Sequence, residues 1–101
     1  MAEHAYYVYI LTTQRNTVLY TGMSNDVLRR TYQHKTHVVP SFTQRDNVDK
    51  LVYYETQATA YEAITREKQL KAGSRAKKVA LIEAMNPEGH DLYDDLTGNG
   101  P

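Results

Sequence analysis

With 101 residues, 41% of them hydrophobic and 24% charged, the chain has the size and composition of one soluble globular domain. It contains no cysteine, which excludes a disulfide framework and a thiolate metal site. No apolar run approaches the roughly 20 residues that span a bilayer, and the N-terminal MAEHAYY lacks the basic and apolar regions of a secretory signal. We therefore expect a cytoplasmic protein with no membrane partner.

The formal net charge is zero, but the charges are unevenly distributed along the chain. All twelve Lys and Arg lie in residues 1–86 together with eight of the acids, so this part carries +4. Residues 87–101 hold the other four acids and no Lys or Arg, and carry −4. The sequence thus predicts a basic domain at 1–86 and an acidic C-terminal tail at 87–101. Ordinary surface charge explains this distribution as well as a nucleic-acid partner does.

The N-terminal part predicts a β-hairpin followed by a helix. Residues 5–11 (AYYVYIL) and 18–22 (VLYTG) are rich in β-branched and aromatic side chains, as strands are, and a polar turn joins them. Ser24 or Asn25 is predicted to cap a helix that runs to about Lys35.

The second half of the chain predicts one more strand and two helices. After a polar loop at 36–50, residues 51–56 (LVYYET) form the third strand. Thr59 and Glu62 form a capping box that begins a helix, and Ser74 caps another. The order β-β-α-β-α-α predicts an α+β domain, with a small three-stranded antiparallel sheet flanked by three helices.

Two helices carry ionisable side chains where apolar ones are expected. Glu67 interrupts the apolar stripe formed by Ala63, Ile64 and Leu70. A carboxylate there must be paired, bind a cation or face a cleft, because an unpaired buried charge costs several kcal/mol. The alternative is a glutamate at the edge of the stripe that pairs with Lys71, four residues later.

The first helix shows a similar interruption. Val27, Arg30 and His34 lie at positions i, i+3 and i+7, so an arginine and a histidine extend a line begun by an apolar residue. The alternative is that Arg30 pairs with Asp26 and that His34 is a surface residue.

A basic segment and an excess of tyrosine are the other unusual features. Residues 66–78 hold six basic side chains and one acid, which suits contact with a nucleic-acid backbone, although two solvated helix faces would give the same pattern. The six are Arg66, Lys68, Lys71, Arg75, Lys77 and Lys78. Nine tyrosines mostly suit the core, and one or two could transfer protons if a neighbouring cation favours the phenolate.

These residues together resemble a known family. YVY at 7–9, ten intervening residues and YTG at 20–22 are similar to the signature of the GIY-YIG endonuclease superfamily, and the resemblance continues through Arg30, His34 and Glu67. It covers about residues 5–85 and is strongest to small stand-alone bacterial members. The β-β-α-β-α-α order is also that of the family.

The resemblance implies a role for each of these residues. Tyr9 and Tyr20 correspond to the two signature tyrosines, one a general base toward the attacking water and the other a group that positions it. Arg30 corresponds to the arginine that contacts the scissile phosphate, and His34 to a residue that hydrogen-bonds a signature tyrosine. Glu67 corresponds to the ligand of a single divalent metal ion, Mg²⁺ or Mn²⁺, which suits a hard oxygen donor.

The sequence departs from the family pattern at several positions. Tyr7 replaces the first glycine, and Met23 stands where some relatives carry a lysine. Asn86 is the nearest match to a late asparagine of the family, at poor spacing.

We expect a metal-dependent endonuclease that cleaves DNA with little sequence preference. Branched or single-stranded forms are candidate substrates, and repair or recombination a candidate setting. The alternatives are a nucleic-acid-binding module without turnover, which would use the basic segment, and a protein-interaction domain that retains the fold.

Overall fold

A computed structural model describes residues 5–36 and 48–98 of the chain. Within these ranges the elements, in chain order, are β1 (Tyr6–Thr12), β2 (Leu19–Ser24), α1 (Val27–Thr36), β3 (Lys50–Gln57), α2 (Ala60–Ala72), α3 (Arg75–Met85) and α4 (Leu92–Thr97). The strands form one antiparallel sheet in the order β2-β1-β3. The predicted α+β class and element order are confirmed, and the structure adds α4 to the three predicted helices. Most of the predicted loop, residues 37–47, lies outside the described residues.

Helices cover both faces of the sheet because side chains alternate along the central strand. Val8 and Ile10 of β1 belong to a core cluster with residues of α2 and α3, and Tyr9 and Leu11 belong to a second cluster with residues of α1 and α4. No helix among the described residues has the length and apolar character needed to span a bilayer.

A register shift in β3 interrupts the alternation of its side chains. Ile10 of β1 pairs with Tyr53 but Leu11 pairs with Leu51, so Val52 is an extra residue on β3. Val52 and Tyr53 consequently both pack in the cluster below α2 and α3. The shift brings the part of β3 that follows Tyr53 into register beneath α2.

The start of α1 corrects one sequence prediction. Neither Ser24 nor Asn25 caps this helix. The carboxylate of Asp26 accepts a hydrogen bond from the backbone N–H of Arg29 at 3.0 Å, which is the capping contact. Ser24 Oγ instead accepts from the N–H of Asp26 at 3.0 Å and so shapes the turn before the helix.

The predicted caps of α2 and α3 are confirmed. Thr59 accepts a hydrogen bond from the N–H of Glu62 at 3.1 Å, and Ser74 accepts from the N–H of Lys77 at 3.2 Å. These contacts lie within four residues of sequence, which is why the local pattern was sufficient to predict them.

The acidic segment packs against the domain up to residue 98. Asp91 accepts hydrogen bonds from the N–H groups of Leu51 and Tyr93, both at 3.1 Å, and forms an ion pair with Lys35 of α1. Leu92 and Tyr93 pack against the core cluster of α1. Asp91 thus joins β3, α1 and α4. Part of the negative charge of the segment therefore stabilises the fold through hydrogen bonds and an ion pair.

Asn86 has a structural role at the end of α3. Its buried side chain donates to the carbonyl oxygens of Val52, at 3.3 Å, and His90, at 2.8 Å, and accepts from the N–H of His90 at 3.1 Å. These three bonds fix the turn that directs the chain from α3 back to the sheet.

Candidate active site

Tyr9 lies at the centre of the sheet with its ring over Gly22, its partner on β2. Tyr9 is 1% exposed, and the two residues face each other across the β1–β2 ladder. A Cβ atom at residue 22 would lie 2.6 Å from the Tyr9 hydroxyl oxygen and 2.7 Å from Cζ. Since such approaches are sterically forbidden, the glycine of YTG is required for the tyrosine of YVY to occupy this position.

The hydroxyl of Tyr9 is surrounded by the other predicted site residues. The guanidinium of Arg30 and the charges of Tyr20 and Glu67 act on it electrostatically. Burial is the main reason that the pKa of Tyr9 is raised; Tyr20 and Glu67 raise it further, and Arg30 lowers it. The structure therefore brings together four side chains that are up to 58 residues apart in sequence.

The site lies at the outer edge of the sheet. β2 is an edge strand, and both α1 and α2 contact it. Arg30 approaches from α1, on the same face as Tyr9, and Glu67 approaches from α2, which covers the other face. Residues from both faces meet only where the sheet ends, and this explains why the site includes both helices.

The rotation of α1 places Arg30 and His34 toward the sheet. Thr31 and His34 are buried, and the imidazole of His34 lies 5.5 Å, centroid to centroid, from the ring of Tyr20. Burial lowers the pKa of His34, and the positive charge of Arg30 lowers it further. His34 is thus not a surface residue, and its environment favours the neutral imidazole at pH 7.

Arg30 does not follow the alternative predicted for it. The carboxylate of Asp26 caps α1, and the guanidinium of Arg30 donates to Gln33 Oε1 at 3.1 Å and interacts electrostatically with Tyr9. Because a guanidinium has five N–H donors in a planar fork, these two contacts leave donors for a phosphate.

Glu67 is partly buried and is also paired with Lys71, so it has features of both alternatives predicted for it. Its Oε2 lies 3.1 Å from Nζ of Lys71, so the i, i+4 pair exists, and its side chain is 19% exposed while that of Lys71 is 56% exposed. An exposed pair of this type contributes about 0.3–0.5 kcal/mol. Lys71 therefore covers the outer side of Glu67 but can be displaced from it with little loss of stability.

Glu67 is the carboxylate of the site that could hold a hard divalent ion. Among the described residues no three His, Cys, Asp or Glu side chains lie close enough to hold a metal ion. A single partly exposed carboxylate is compatible with Mg²⁺, which keeps several waters and takes further oxygens from a substrate phosphate. Glu67 fits that requirement beside Tyr9 and Arg30.

The two departures from the family signature lie away from the Tyr9 hydroxyl. The ring of Tyr7 packs edge-on against Tyr54 of β3, with centroids 6.4 Å apart, so it extends toward β3. Met23 packs against the core cluster below α2.

The two arginines of the basic segment are engaged within the protein. Arg66 forms an ion pair with Glu55, its Nη2 lying 2.8 Å from Oε2. Arg75 donates to the carbonyl oxygens of Asn16, at 2.7 Å, and Thr17, at 3.3 Å, in the β1–β2 turn. Their role in binding nucleic acid stays a prediction, and these internal contacts give each a structural role.

Three of the four lysines of the segment are exposed, and Lys78 is partly buried. Lys78 donates to the carbonyl oxygen of Gly73 at 3.3 Å, and Lys71 pairs with Glu67. Lys68 and Lys77 are exposed, on α2 and α3 respectively. The cationic surface near the site is therefore smaller than the count of six basic residues indicates.

Sequence reasoning missed a cluster around Glu55. Glu55 accepts hydrogen bonds from Tyr53, Gln57 and Arg66. Strand alternation could have placed Tyr53, Glu55 and Gln57 on one face, but Glu55 stood in a strand without a predicted partner. The partner is a residue of α2, and only the packing of that helix identifies it.

Comparison with known proteins agrees with the site geometry. Residues 5–80 match the GIY-YIG catalytic domain. The chain is 33% identical to a UPF0213 protein of Bacillus pumilus over 93% of this chain and 95% of that one, and 34% identical to a UPF0213 protein of Haloquadratum walsbyi over 86% and 92%.

A solved structure has the same fold. The solution NMR structure of a UPF0213 protein from Bacillus halodurans superimposes with a TM-score of 0.55 at 28% sequence identity, and the match covers 89% of this chain and 95% of that one. The domain match spans most of the chain and includes each of the residues that surround Tyr9. The chain therefore belongs to the GIY-YIG family, a superfamily of nucleases.

Proposed function

We propose that the protein is a divalent-metal-dependent endonuclease that hydrolyses DNA phosphodiester bonds with little sequence preference. The observation that carries the proposal is the convergence of Arg30, Tyr20 and Glu67 on the Tyr9 hydroxyl within a GIY-YIG domain. The combination of a fixed cation, a carboxylate and two phenols matches the needs of phosphodiester hydrolysis, in which negative charge develops on the phosphate oxygens.

Arg30 is the residue that would contact the scissile phosphate. Its hydrogen bond to Gln33 and its electrostatic interaction with Tyr9 hold the guanidinium in place before substrate arrives. A cation held in advance stabilises transition-state charge without reorganisation, and a guanidinium matches the geometry of two phosphate oxygens.

The two tyrosines have different environments, which supports different roles. Tyr9 is almost completely buried, its pKa is raised by burial, and Arg30 acts on it electrostatically, so we assign it the positioning role. Tyr20 is only partly buried and lies against His34. Since burial favours neutral His34, its imidazole can accept a proton, and we assign Tyr20 to the attacking water.

Glu67 would hold the metal ion, Mg²⁺ or Mn²⁺, at the edge of the site. The bound ion would neutralise charge on the substrate phosphate. Lys71 would leave the carboxylate when the ion binds, and its exposed ammonium would then be available to the phosphate backbone. Lys68 and Lys77 would extend this contact, with branched or single-stranded DNA as substrate and repair or recombination as the setting.

The test is cleavage of plain, branched and single-stranded DNA by the wild type, Glu67→Gln and Glu62→Gln, with Mg²⁺ or with EDTA. Glu62 is an exposed glutamate on the same helix and serves as the matched control. We expect metal-dependent cleavage that Glu67→Gln abolishes and Glu62→Gln retains. Cleavage retained by Glu67→Gln would contradict the role of that residue. Salt-sensitive binding without cleavage would indicate a binding module, and absence of binding would indicate a protein-interaction domain.

A further inference from the structure

α2 carries two adjacent charged residues that point to opposite sides of its apolar stripe. Ala63 and Leu70 form the buried stripe, at 0% and 5% exposure. Since successive helical residues differ by about 100° in direction, Arg66 and Glu67 flank this stripe on either side. Arg66 reaches Glu55 of β3, and Glu67 lies within electrostatic range of Tyr9.

The contacts of Arg66 are strong and directional. Its Nε donates to Glu55 Oε1 at 2.9 Å and its Nη2 donates to Oε2 at 2.8 Å, which is the two-point geometry preferred by guanidinium and carboxylate. Tyr53 and Gln57 donate to the same carboxylate, the latter at 3.1 Å. The side chains of Glu55 and Arg66 are 18% and 32% exposed, so the pair is partly shielded from solvent.

We propose that the clamp formed by Glu55, Arg66, Tyr53 and Gln57 is a positioning device for Glu67. It fixes the rotation of α2 on the sheet and thereby holds the Glu67 carboxylate toward Tyr9. The inference deepens the proposed function, on which it rests, by adding Arg66 and Glu55 as positioning residues that do not touch substrate. It also replaces the nucleic-acid contact predicted for Arg66 with an internal role.

The physical reason lies in the weak restraint that the stripe itself provides. The buried stripe of α2 consists of one small residue, Ala63, and one leucine, so few large side chains interlock with the sheet to fix the rotation of the helix. The i, i+4 pair of Glu67 with Lys71 lies within one helix and cannot oppose such a rotation. A two-point bond between Arg66 and a strand can oppose it, because rotation would break both hydrogen bonds.

The first test measures the effect of Glu67 on Tyr9 without metal or DNA. The ζ-carbon resonance of Tyr9 in ¹³C-tyrosine-labelled protein, assigned with Tyr9→Phe, is compared before and after Glu67→Gln. We expect the shift caused by Glu67→Gln to be lost in an Arg66→Gln background. It should persist in a Lys35→Gln background, which removes an ion pair of similar exposure from α1. A shift of unchanged size in Arg66→Gln would overturn the proposal.

Additional variants keep the test decisive if Arg66→Gln does not fold. Arg66→Lys keeps the charge but loses the two-point geometry, and Glu55→Gln keeps the shape but loses the charge. Each is expected to reduce the Glu67-dependent shift, and thermal melting verifies the fold. If both variants keep the full shift, the clamp does not position Glu67.

The second test separates positioning from contact with DNA. We expect Arg66→Gln to lower kcat by about 10- to 100-fold with little change in KM, as a misplaced catalytic group does. A raised KM with a weaker salt dependence of binding would instead identify a phosphate contact and contradict the proposal. If the wild type cleaves no DNA, the proposed function fails, while the NMR comparison still decides whether the clamp orients Glu67.

Discussion

Two regions of this protein contain the same three residue types in close contact, and they differ in how those residues are bonded. Each consists of one tyrosine, one arginine and one glutamate, namely Tyr53, Arg66 and Glu55 in the clamp and Tyr9, Arg30 and Glu67 in the candidate site. In the clamp, the arginine and the tyrosine both donate to the carboxylate. In the site, the arginine and the carboxylate are not paired with each other: the arginine donates to Gln33 and acts electrostatically on the tyrosine, and the carboxylate is paired with an exposed lysine.

The difference affects the chemistry of the two tyrosines. Burial, followed by the Glu55 carboxylate, raises the pKa of Tyr53 to about 12. The pKa of Tyr9 is also raised by burial, but the next largest influence is Arg30, which lowers it, whereas at Tyr53 the arginine acts less strongly than Glu55. In the clamp, the charges of Arg66 and Glu55 are paired with each other. In the site, the carboxylate of Glu67 is paired only with the exposed Lys71, and part of the Arg30 guanidinium is available to a substrate. Composition alone does not distinguish a structural cluster from an active site; the bonding pattern does.

The largest expected effect is on Arg30. We expect Arg30→Lys to lower kcat/KM for DNA cleavage by about 10²- to 10³-fold, because an ammonium cannot keep the bond to Gln33 and also bind a phosphate at two points. Steady-state cleavage rates measure this. Arg29→Lys, at the exposed neighbouring position of α1, is the matched control and should retain activity. Equal losses in both variants would indicate that the two arginines only attract the phosphate backbone in general, and would contradict a specific role of Arg30 in the site.

The contact between Gly22 and Tyr9 gives the second prediction. Gly22→Ala should destabilise the protein by about 1–3 kcal/mol, because the new Cβ would overlap the Tyr9 ring and displace its hydroxyl from Arg30. Urea denaturation measures the loss. Gly73→Ala is the control, since a Cβ there would lie 3.4 Å from its nearest neighbour and the backbone φ of −77° accepts alanine. Equal stability of the two variants would show that a Cβ atom at residue 22 does not clash with the ring of Tyr9.

Stability should distinguish the two glutamates. Glu55→Gln should lower the free energy of unfolding by about 1.5–3 kcal/mol, because several hydrogen bonds to a charged acceptor are weakened. Glu67→Gln should lower it by less than about 0.5 kcal/mol, because only an exposed pair is lost. Urea titrations of both variants at pH 7 provide the comparison. The reverse order would mean that Glu67 belongs to the structural cluster.

The smallest effect concerns acid pH. Burial by itself would raise the pKa of Glu55, but its hydrogen bonds with Arg66 and Tyr53 hold it below its ordinary value. A carboxyl whose folded-state pKa is depressed stabilises the protein above its unfolded-state pKa, about 4.5, and this contribution is lost as the pH falls through the folded-state value. The stability difference between wild type and Glu55→Gln should therefore shrink below about pH 4.5. A difference that stays constant to pH 3 would contradict the ionic character of the clamp.

The sequence by itself determined the features that depend on neighbouring residues. The strands follow from runs of β-branched and aromatic side chains, and the starts of α2 and α3 follow from Thr59 and Ser74. Glu67 and Arg30 were identifiable as charges within apolar stripes, and the motif spacing connected them with Tyr9 and Tyr20. All of these signals come from residues close together in the chain or from their order along it.

Only the tertiary structure decided which charged side chains form hydrogen bonds or ion pairs within the protein. Arg66 is bonded to Glu55, 11 residues away, and Arg75 to the β1–β2 turn, 58 and 59 residues away, so the basic segment is partly structural. Asp91 bonds to the backbone of Leu51, 40 residues away, which places acidic charge within the fold. Hydrogen bonds and ion pairs act over a few ångströms in space and not along the sequence. The partners of these side chains are therefore defined only when the helices pack against the sheet.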